Sequence, residues 1–187
     1  MSKFELRKAA AERAGVSYEE SLVVTTLESP SMYERLGHDE GCRRLSQLFY
    51  DRVFADHATP WFISIFSSST KHEAIENQYK FLVQTFGGPD LYRQAKGKYT
   101  RLVGRHANYV IGHNAADRWV HHMVAAIQEH ESLRDDTEAK QALEHYFRYT
   151  AHYIVVASEF MRPDQVCVLV VCMLWRRMML RAILLFR

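Results

Sequence analysis

Paired helix-start and helix-stop signals recur through the middle of this chain and predict an all-α fold. Ser31 is followed three residues later by Glu34, and Thr70 by Glu73, which is the spacing of a capping box at a helix N-terminus. The Gly-Gly-Pro run at 87–89 is typical of the end of a helix. Runs with the two-residue apolar period of a β-strand are few. The short connections between the helices favour antiparallel helix pairs.

Further helices are predicted from the apolar period of 3.6 residues and from capping residues. The signals indicate a helix from about 41 to 56, a Pro-containing helix start at 59–61, a helix capped by Asn114 and Asp117 that ends near 130, and a helix capped by Asp135 and Glu138 that ends near 162. Residues 90–113 are basic and punctuated by glycine, so this segment, which includes His106, is predicted to be irregular.

The chain of 187 residues has the length of one domain with a full core, flanked by tails. Residues 31–161 are predicted to form the helical domain, residues 1–30 an N-terminal extension, and residues 162–187 an apolar and basic C-terminal extension. The apolar run at 166–175 is too short to span a bilayer and is followed by arginines. Contact with a membrane interface, burial as a terminal segment and an unselected extension of the reading frame all stay open for it.

Composition excludes several classes of protein. Hydrophobic residues make up 48% and charged residues 25%, which is a globular balance. The net charge of +2 gives no electrostatic basis for nucleic-acid binding. The three cysteines, Cys42, Cys167 and Cys172, are too few and too scattered for a disulfide framework. The N-terminus lacks the apolar core of a secretion signal. We therefore expect a reducing compartment and a cytoplasmic protein.

His106 is the residue that most directly suggests a metal or cofactor site. A neutral imidazole can bind iron through one ring nitrogen while a hydrogen bond orients the other nitrogen. The neighbouring Arg105 can pair with a carboxylate, and Lys96, Lys98 and Arg101 are also near in sequence. The alternative for a single histidine in a basic segment is an ordinary solvated side chain.

Three polar side chains lie on otherwise apolar helix stripes. Tyr50 is a phenol on such a stripe, Gln78 lies four residues from both Ala74 and Leu82, and Trp119 is in line with small residues. A tyrosine or tryptophan in this place is usually a packing residue with a satisfied polar tip. A buried glutamine is rarer, because an unpaired amide costs roughly 1–3 kcal/mol. Three such donors on three helices suggest a polar pocket in an apolar wall, suited to a small polar ligand.

Several motifs together resemble those of truncated (2-on-2) haemoglobins of the second group, in the plant-type branch. The resemblance covers about 32–160, with the motifs in the order and near the spacing of the family. The matching segments are Leu48-Phe49-Tyr50, Trp61-Phe62-Ile63-Ser64-Ile65-Phe66, Ala74-Ile75-Glu76-Asn77-Gln78-Tyr79, Phe86-Gly87-Gly88-Pro89, Gly104-Arg105-His106 and Arg118-Trp119-Val120-His121-His122-Met123.

The resemblance implies a fold and a role for each site residue. The fold would be a truncated globin, a 2-on-2 helical sandwich, with N- and C-terminal extensions. His106 would be the proximal ligand of the haem iron, and Tyr50, Gln78 and Trp119 would donate hydrogen bonds on the distal side. The small Ala74 would stand where classical globins have a distal histidine. Further implied haem contacts include Arg105, for a propionate, and the wall residues Phe66, Phe81, Leu82, Leu102 and Tyr109.

The resemblance also implies a function, with alternatives. A haem b protein that reversibly binds O2, NO or CO is expected, with oxygen transport, storage or sensing as its purpose. The alternative from enzyme chemistry is an NO dioxygenase or a peroxidase-like activity that needs an external reductase. The alternative from a third class is a haem-free helical interaction module. Self-association as a homodimer is a further expectation.

Overall fold

The computed structural model describes residues 2–27, 29–97, 102–106 and 111–161, and every regular element within these ranges is helical. The all-α prediction is therefore confirmed. In chain order the α-helices are α1 (Lys3–Ala14), α2 (Tyr18–Thr26), α3 (Met32–Leu36), α4 (His38–Phe54), α5 (Pro60–Ser64), α6 (Lys71–Thr85), α7 (Leu91–Lys96), α8 (Leu102–His106), α9 (His113–Glu129) and α10 (Thr137–Met161), and a short 3₁₀ turn at Glu131–Leu133 separates the last two.

Two helix pairs form the core of the domain. Helix α4 packs on α6, α9 packs on α10, and α4 also contacts α9. Each of these helices supplies a fully buried apolar side chain: Phe49 from α4, Leu82 from α6, Met123 from α9 and Leu143 from α10. Burial of one such side chain contributes about 1.5–3 kcal/mol relative to an exposed one. The site described below lies within this arrangement.

The capping signals were partly right. Ser31 and Thr70 form capping boxes with Glu34 and Glu73, as predicted. The predicted Asn114 cap is wrong, because the N-cap of α9 is Gly112, two residues earlier, with no side-chain cap hydrogen bond.

The predicted Asp135 cap is also wrong, by one residue. The neighbouring Asp136 is the residue whose carboxylate accepts the backbone N–H of Ala139, at 2.9 Å. Residues 90–113 were predicted to be irregular, but they contain the short helices α7 and α8. These helices were not predicted because each is only five or six residues long, which is too short to show a helical period.

The N-terminal helices are folded onto the domain. Both α1 and α2 pack against α10. Their contact centres on the buried residues Ala10, Val16 and Tyr149, and the Arg7 guanidinium lies 3.7 Å from the centre of the Tyr18 ring. Residues 3–26 thus cover one face of α10. A boundary near residue 30 stays a prediction, as does the separate C-terminal extension at 162–187, which lies outside the described residues.

Among the helices that the structure describes, none is both long and apolar enough to cross a membrane.

Candidate functional site

One cavity of about 280 Å³ lies among the core helices, and most of the predicted site residues line it. Its wall includes His106, Tyr50, Gln78 and Trp119, so the structure brings together the proposed iron ligand and all three proposed donors. Its remaining lining residues are Phe62, Ile65, Phe66, Asn77, Phe81, Leu82, Tyr92, Leu102, Ile111, Ala115, Ala116, Tyr146, Phe147, Thr150, Ala151 and Ile154.

Two predicted site residues are not tested by this geometry. Arg105 belongs to α8, but its side chain lies outside the described part of the chain, and so does all of Tyr109. The predicted wall residues Phe66, Phe81, Leu82 and Leu102 do line the cavity.

His106 ends α8, and its imidazole is held in one orientation by the backbone of the same helix. Its Nδ1 lies 2.8 Å from the carbonyl oxygen of Leu102, four residues earlier. A carbonyl oxygen only accepts, so Nδ1 carries the proton and donates. Nε2 of the neutral imidazole is then the nitrogen with the lone pair. The local fold therefore prepares Nε2 to bind a metal ion.

Tyr50 lies on α4 within a group of aromatic rings. Its ring centre is 4.9 Å from that of Phe49 and 6.0 Å from that of Phe66. Burial raises the pKa of the Tyr50 phenol well above its ordinary value, because the phenolate would be poorly solvated. The side chain is thus a neutral phenol that can donate its O–H.

Gln78 lies on α6, and its side-chain oxygen is buried with no hydrogen-bond partner among the described residues. Leaving such a group unpaired costs roughly 1–3 kcal/mol. A polar group of this kind in a cavity wall is the mark of a site that takes a polar ligand or a water molecule.

Trp119 lies on α9 and is fixed by two aromatic neighbours from other helices. Its ring centre is 4.8 Å from that of Phe49 on α4 and 5.5 Å from that of Phe147 on α10. The indole N–H is a donor only, so it can serve a ligand that accepts.

Sequence reasoning missed several wall residues. Phe62 and Tyr146 were not singled out, although both are aromatic and each belongs to a predicted helix. Thr150 lies four residues after Tyr146 and four before Ile154, so the helical spacing contained the signal for it. Tyr92 and Ile111 fall in the segment predicted to be irregular, where no helical spacing indicated which residues share a face.

The lining residues fit a haem group. They supply an imidazole whose Nε2 is left available by the Nδ1 hydrogen bond, a wall made largely of aromatic and aliphatic side chains, and a small set of polar groups that includes Gln78, whose side-chain oxygen is unpaired among the described residues. A flat apolar cofactor with one metal centre and a polar ligand requires these features.

Comparison with known proteins identifies a family. The family model for bacterial-like globins matches residues 31–153. The chain is 39% identical over 154 residues to group 2 truncated hemoglobin 3-1 of Lotus japonicus, covering 82% of this chain and 87% of that protein. It is 37% identical over 160 residues to two-on-two hemoglobin-3 of Arabidopsis thaliana, covering 86% and 87%. A thermostable hemoglobin from the actinobacterium Thermobifida fusca superposes with a TM-score of 0.60 at 34% identity, covering 67% of this chain and 96% of that chain.

The family match covers α3 to α9 and most of α10, and every helix that lines the cavity is among them. It confirms the resemblance that the sequence motifs indicated, and with it the globin fold. Globins carry haem iron and bind small gaseous ligands such as O2. The chain belongs to the bacterial-like globin family, as a group 2 truncated haemoglobin.

Proposed function

We propose that the chain is a haem b protein that reversibly binds O2, NO and CO, with His106 as the protein ligand of the iron. In this proposal Tyr50, Gln78 and Trp119 donate hydrogen bonds to the gas. The observation that carries it is that His106 and all three donors line the same cavity of about 280 Å³.

His106 performs two tasks in this proposal. Its hydrogen bond to the Leu102 carbonyl places the proton of the neutral imidazole on Nδ1, so that the Nε2 lone pair can face the iron, and it limits rotation of the ring. The same bond makes the imidazole more basic and so a better ligand. When bound, haem supplies a ferrous iron that takes up diatomic gases and shifts negative charge onto O2.

The three donors would stabilise the negative charge on bound O2 by hydrogen bonding. Tyr50 keeps its proton because burial raises the pKa of its phenol, so it donates throughout the physiological pH range. The Trp119 indole and the Gln78 amide each offer an N–H. The apolar wall around them strengthens these hydrogen bonds, since little water competes.

The remaining predicted contacts complete the proposal. Phe66, Phe81 and Leu82 would contact the porphyrin from the cavity wall, with Leu102 near the iron ligand. Arg105 would pair with a propionate, and Tyr109 would be a further contact.

The test is the rate of O2 dissociation, measured by stopped-flow absorption on the haem-loaded protein. Trp119→Phe removes the indole donor while keeping an aromatic ring against Phe49. Loss of a hydrogen bond of about 1–2 kcal/mol should accelerate O2 release roughly five- to thirty-fold. Trp61→Phe is the matched control, because Trp61 is 49% exposed and is absent from the cavity lining.

Two further variants extend the test to the other donors. Tyr50→Phe and Gln78→Leu should also accelerate release, and their effects should not add to that of Trp119→Phe, because residues that share one pocket are coupled. Wild-type dissociation rates in all three single variants would contradict the assignment of the donors.

A further inference from the structure

A buried charged cluster next to the cavity is centred on Asp56, just after α4. The Asp56 side chain is 3% exposed. Its Oδ2 accepts hydrogen bonds from the hydroxyl of Thr59, from Arg118 Nε at 2.7 Å and from His122 Nε2 at 2.8 Å. Three donors on one carboxylate oxygen offset the cost of burying the charge.

The cluster joins the helices that carry two of the proposed donors. Asp56 follows the helix of Tyr50, whereas Arg118 and His122 lie four residues apart on α9. Residues at that spacing share one helix face, so two contacts fix the rotation of α9 as well as its distance from α4. Trp119 is the neighbour of Arg118 in the chain, and its place in the wall depends on this rotation.

The same cluster also reaches α5. The His122 ring stacks on Phe62, with ring centres 5.7 Å apart and planes 26° apart, and Phe62 lines the cavity. The ring centre of Phe62 in turn lies 5.3 Å from that of Phe66, and the Phe66 ring contacts the Tyr50 ring. One carboxylate therefore connects three segments of the cavity wall, although Asp56 itself is not among the lining residues.

We propose that Asp56 is a positioning residue that sets the places of Trp119 and Tyr50 in the cavity wall, acting through Arg118 and His122. The inference rests on the proposed function, since it matters for gas binding only where these two residues are donors. The hydrogen bond from Arg118, and to a lesser extent the one from Thr59, hold the pKa of the Asp56 carboxyl well below its usual range. The carboxylate is thus charged at neutral pH.

Asp56→Asn is the decisive variant, because it keeps the size of the side chain and removes the charge that Arg118 faces. Asp51→Asn is the matched control. Asp51 lies on α4 and forms an ion pair, with Lys71 at 2.6 Å, but its side chain is 56% exposed.

Two spectra of the full-length, CO-loaded ferrous protein report the outcome. One is the ¹⁵N–¹H signal of the Trp119 indole, assigned by its loss in Trp119→Phe. The other is the C–O stretching band in the infrared. Asp56→Asn should shift or split the indole signal and shift or broaden the C–O band, and Asp51→Asn should leave both in place. Unchanged spectra in a folded Asp56→Asn protein would overturn the proposal.

A milder pair of variants decides the question if Asp56→Asn does not fold. His122→Leu removes one donor and leaves the Asp56–Arg118 ion pair, whereas His122→Gln retains an N–H donor. The leucine variant should reproduce the spectral shifts, and the glutamine variant should restore the wild-type indole signal. Wild-type spectra in His122→Leu, or equal shifts in both variants, would refute the positioning role.

The experiment also separates this inference from the proposed function. A C–O band that does not move in Trp119→Phe would contradict the role of Trp119 as a donor. The indole signal still reports whether Asp56 positions Trp119, because it depends on the surroundings of the indole and not on gas affinity.

Discussion

Gly41 lies against the backbone of Leu36 so closely that a methyl group in place of its hydrogen would stand 1.6 Å from the Leu36 carbonyl oxygen. Gly41 is in the first turns of α4, and Leu36 ends α3. The single residue between the helices, Gly37, has a φ of 92°, a value that favours glycine. The angle between α3 and α4 depends on this contact, and so does the direction of α4, the helix that carries Tyr50.

Gly41→Ala should therefore destabilise the protein. The clashing atom belongs to the backbone, so the two helices must separate, and the cost should reach or exceed the roughly 1–3 kcal/mol of an overpacked core. Gly112→Ala is the control, because a Cβ there meets no atom within 4 Å. Urea denaturation of both variants gives the comparison. Equal free energies of unfolding would contradict the close approach of α3 and α4.

His106→Gly should lose stable haem, because it removes the side chain proposed to hold the iron. Added imidazole should restore the Soret band by occupying the space that the side chain leaves. His72→Ala is a suitable control, since His72 is exposed on α6. Absorption spectra of the ferric, ferrous and CO-bound forms provide the measurement. Full haem retention with an unchanged ferrous spectrum in His106→Gly would refute the ligand assignment.

Local patterns in the sequence were enough to predict the helices of the core and three polar residues of the cavity wall. Tyr50, Gln78 and Trp119 stand out because each is a polar group on an apolar helix stripe, which spacing alone reveals. The capping boxes at Ser31 and Thr70 are equally local, since each involves residues three apart.

Contacts between distant residues were not predictable in this way. Asp56 meets Arg118 across 62 positions of sequence, and nothing near either residue marks the other as its partner. The packing of α1 and α2 on α10 is also long-range, and α1 has only one buried residue, Ala10, to signal it. Helices α7 and α8 were missed because short helices have too few turns to show a period.

Removal of residues 164–187 should leave haem binding intact. The cavity residues of α10, from Tyr146 to Ile154, all precede its end at Met161. The apolar run at 166–175 favours self-association wherever it is exposed, so the truncated protein should be more soluble.

Removal of residues 176–187 alone is the control for this truncation, because it retains the apolar run. Size-exclusion chromatography and the spectrum of the CO form compare the two truncations. Haem loss on removal of residues 164–187 would mean that this segment contributes to the globin domain, and the boundary near residue 161 would be wrong.

The free energy of unfolding should decrease as the pH falls below about 6.5, in part because of His152 on α10. Its Nε2 lies 3.2 Å from a carboxylate oxygen of Asp117, and its Nδ1 lies 3.0 Å from Nδ1 of His113. With the His152 proton on Nε2, facing Asp117, Nδ1 accepts from His113. A second proton on His152 would set two N–H groups against each other.

Burial lowers the pKa of His152 from its usual 6.5, and the Asp117 charge offsets this only in part. Between the folded-state pKa and 6.5 the unfolded chain binds more protons than the folded protein, so stability rises with pH across that window and is lost as the pH falls. The glutamine in His152→Gln cannot take up a proton and retains an N–H for Asp117. The free energy of unfolding of this variant should therefore depend less steeply on pH. Part of the slope should persist, because burial also lowers the pKa of His122 and of His130. Urea denaturation between about pH 5 and 7.5 tests this, and parallel curves for the wild type and His152→Gln would show that His152 does not contribute.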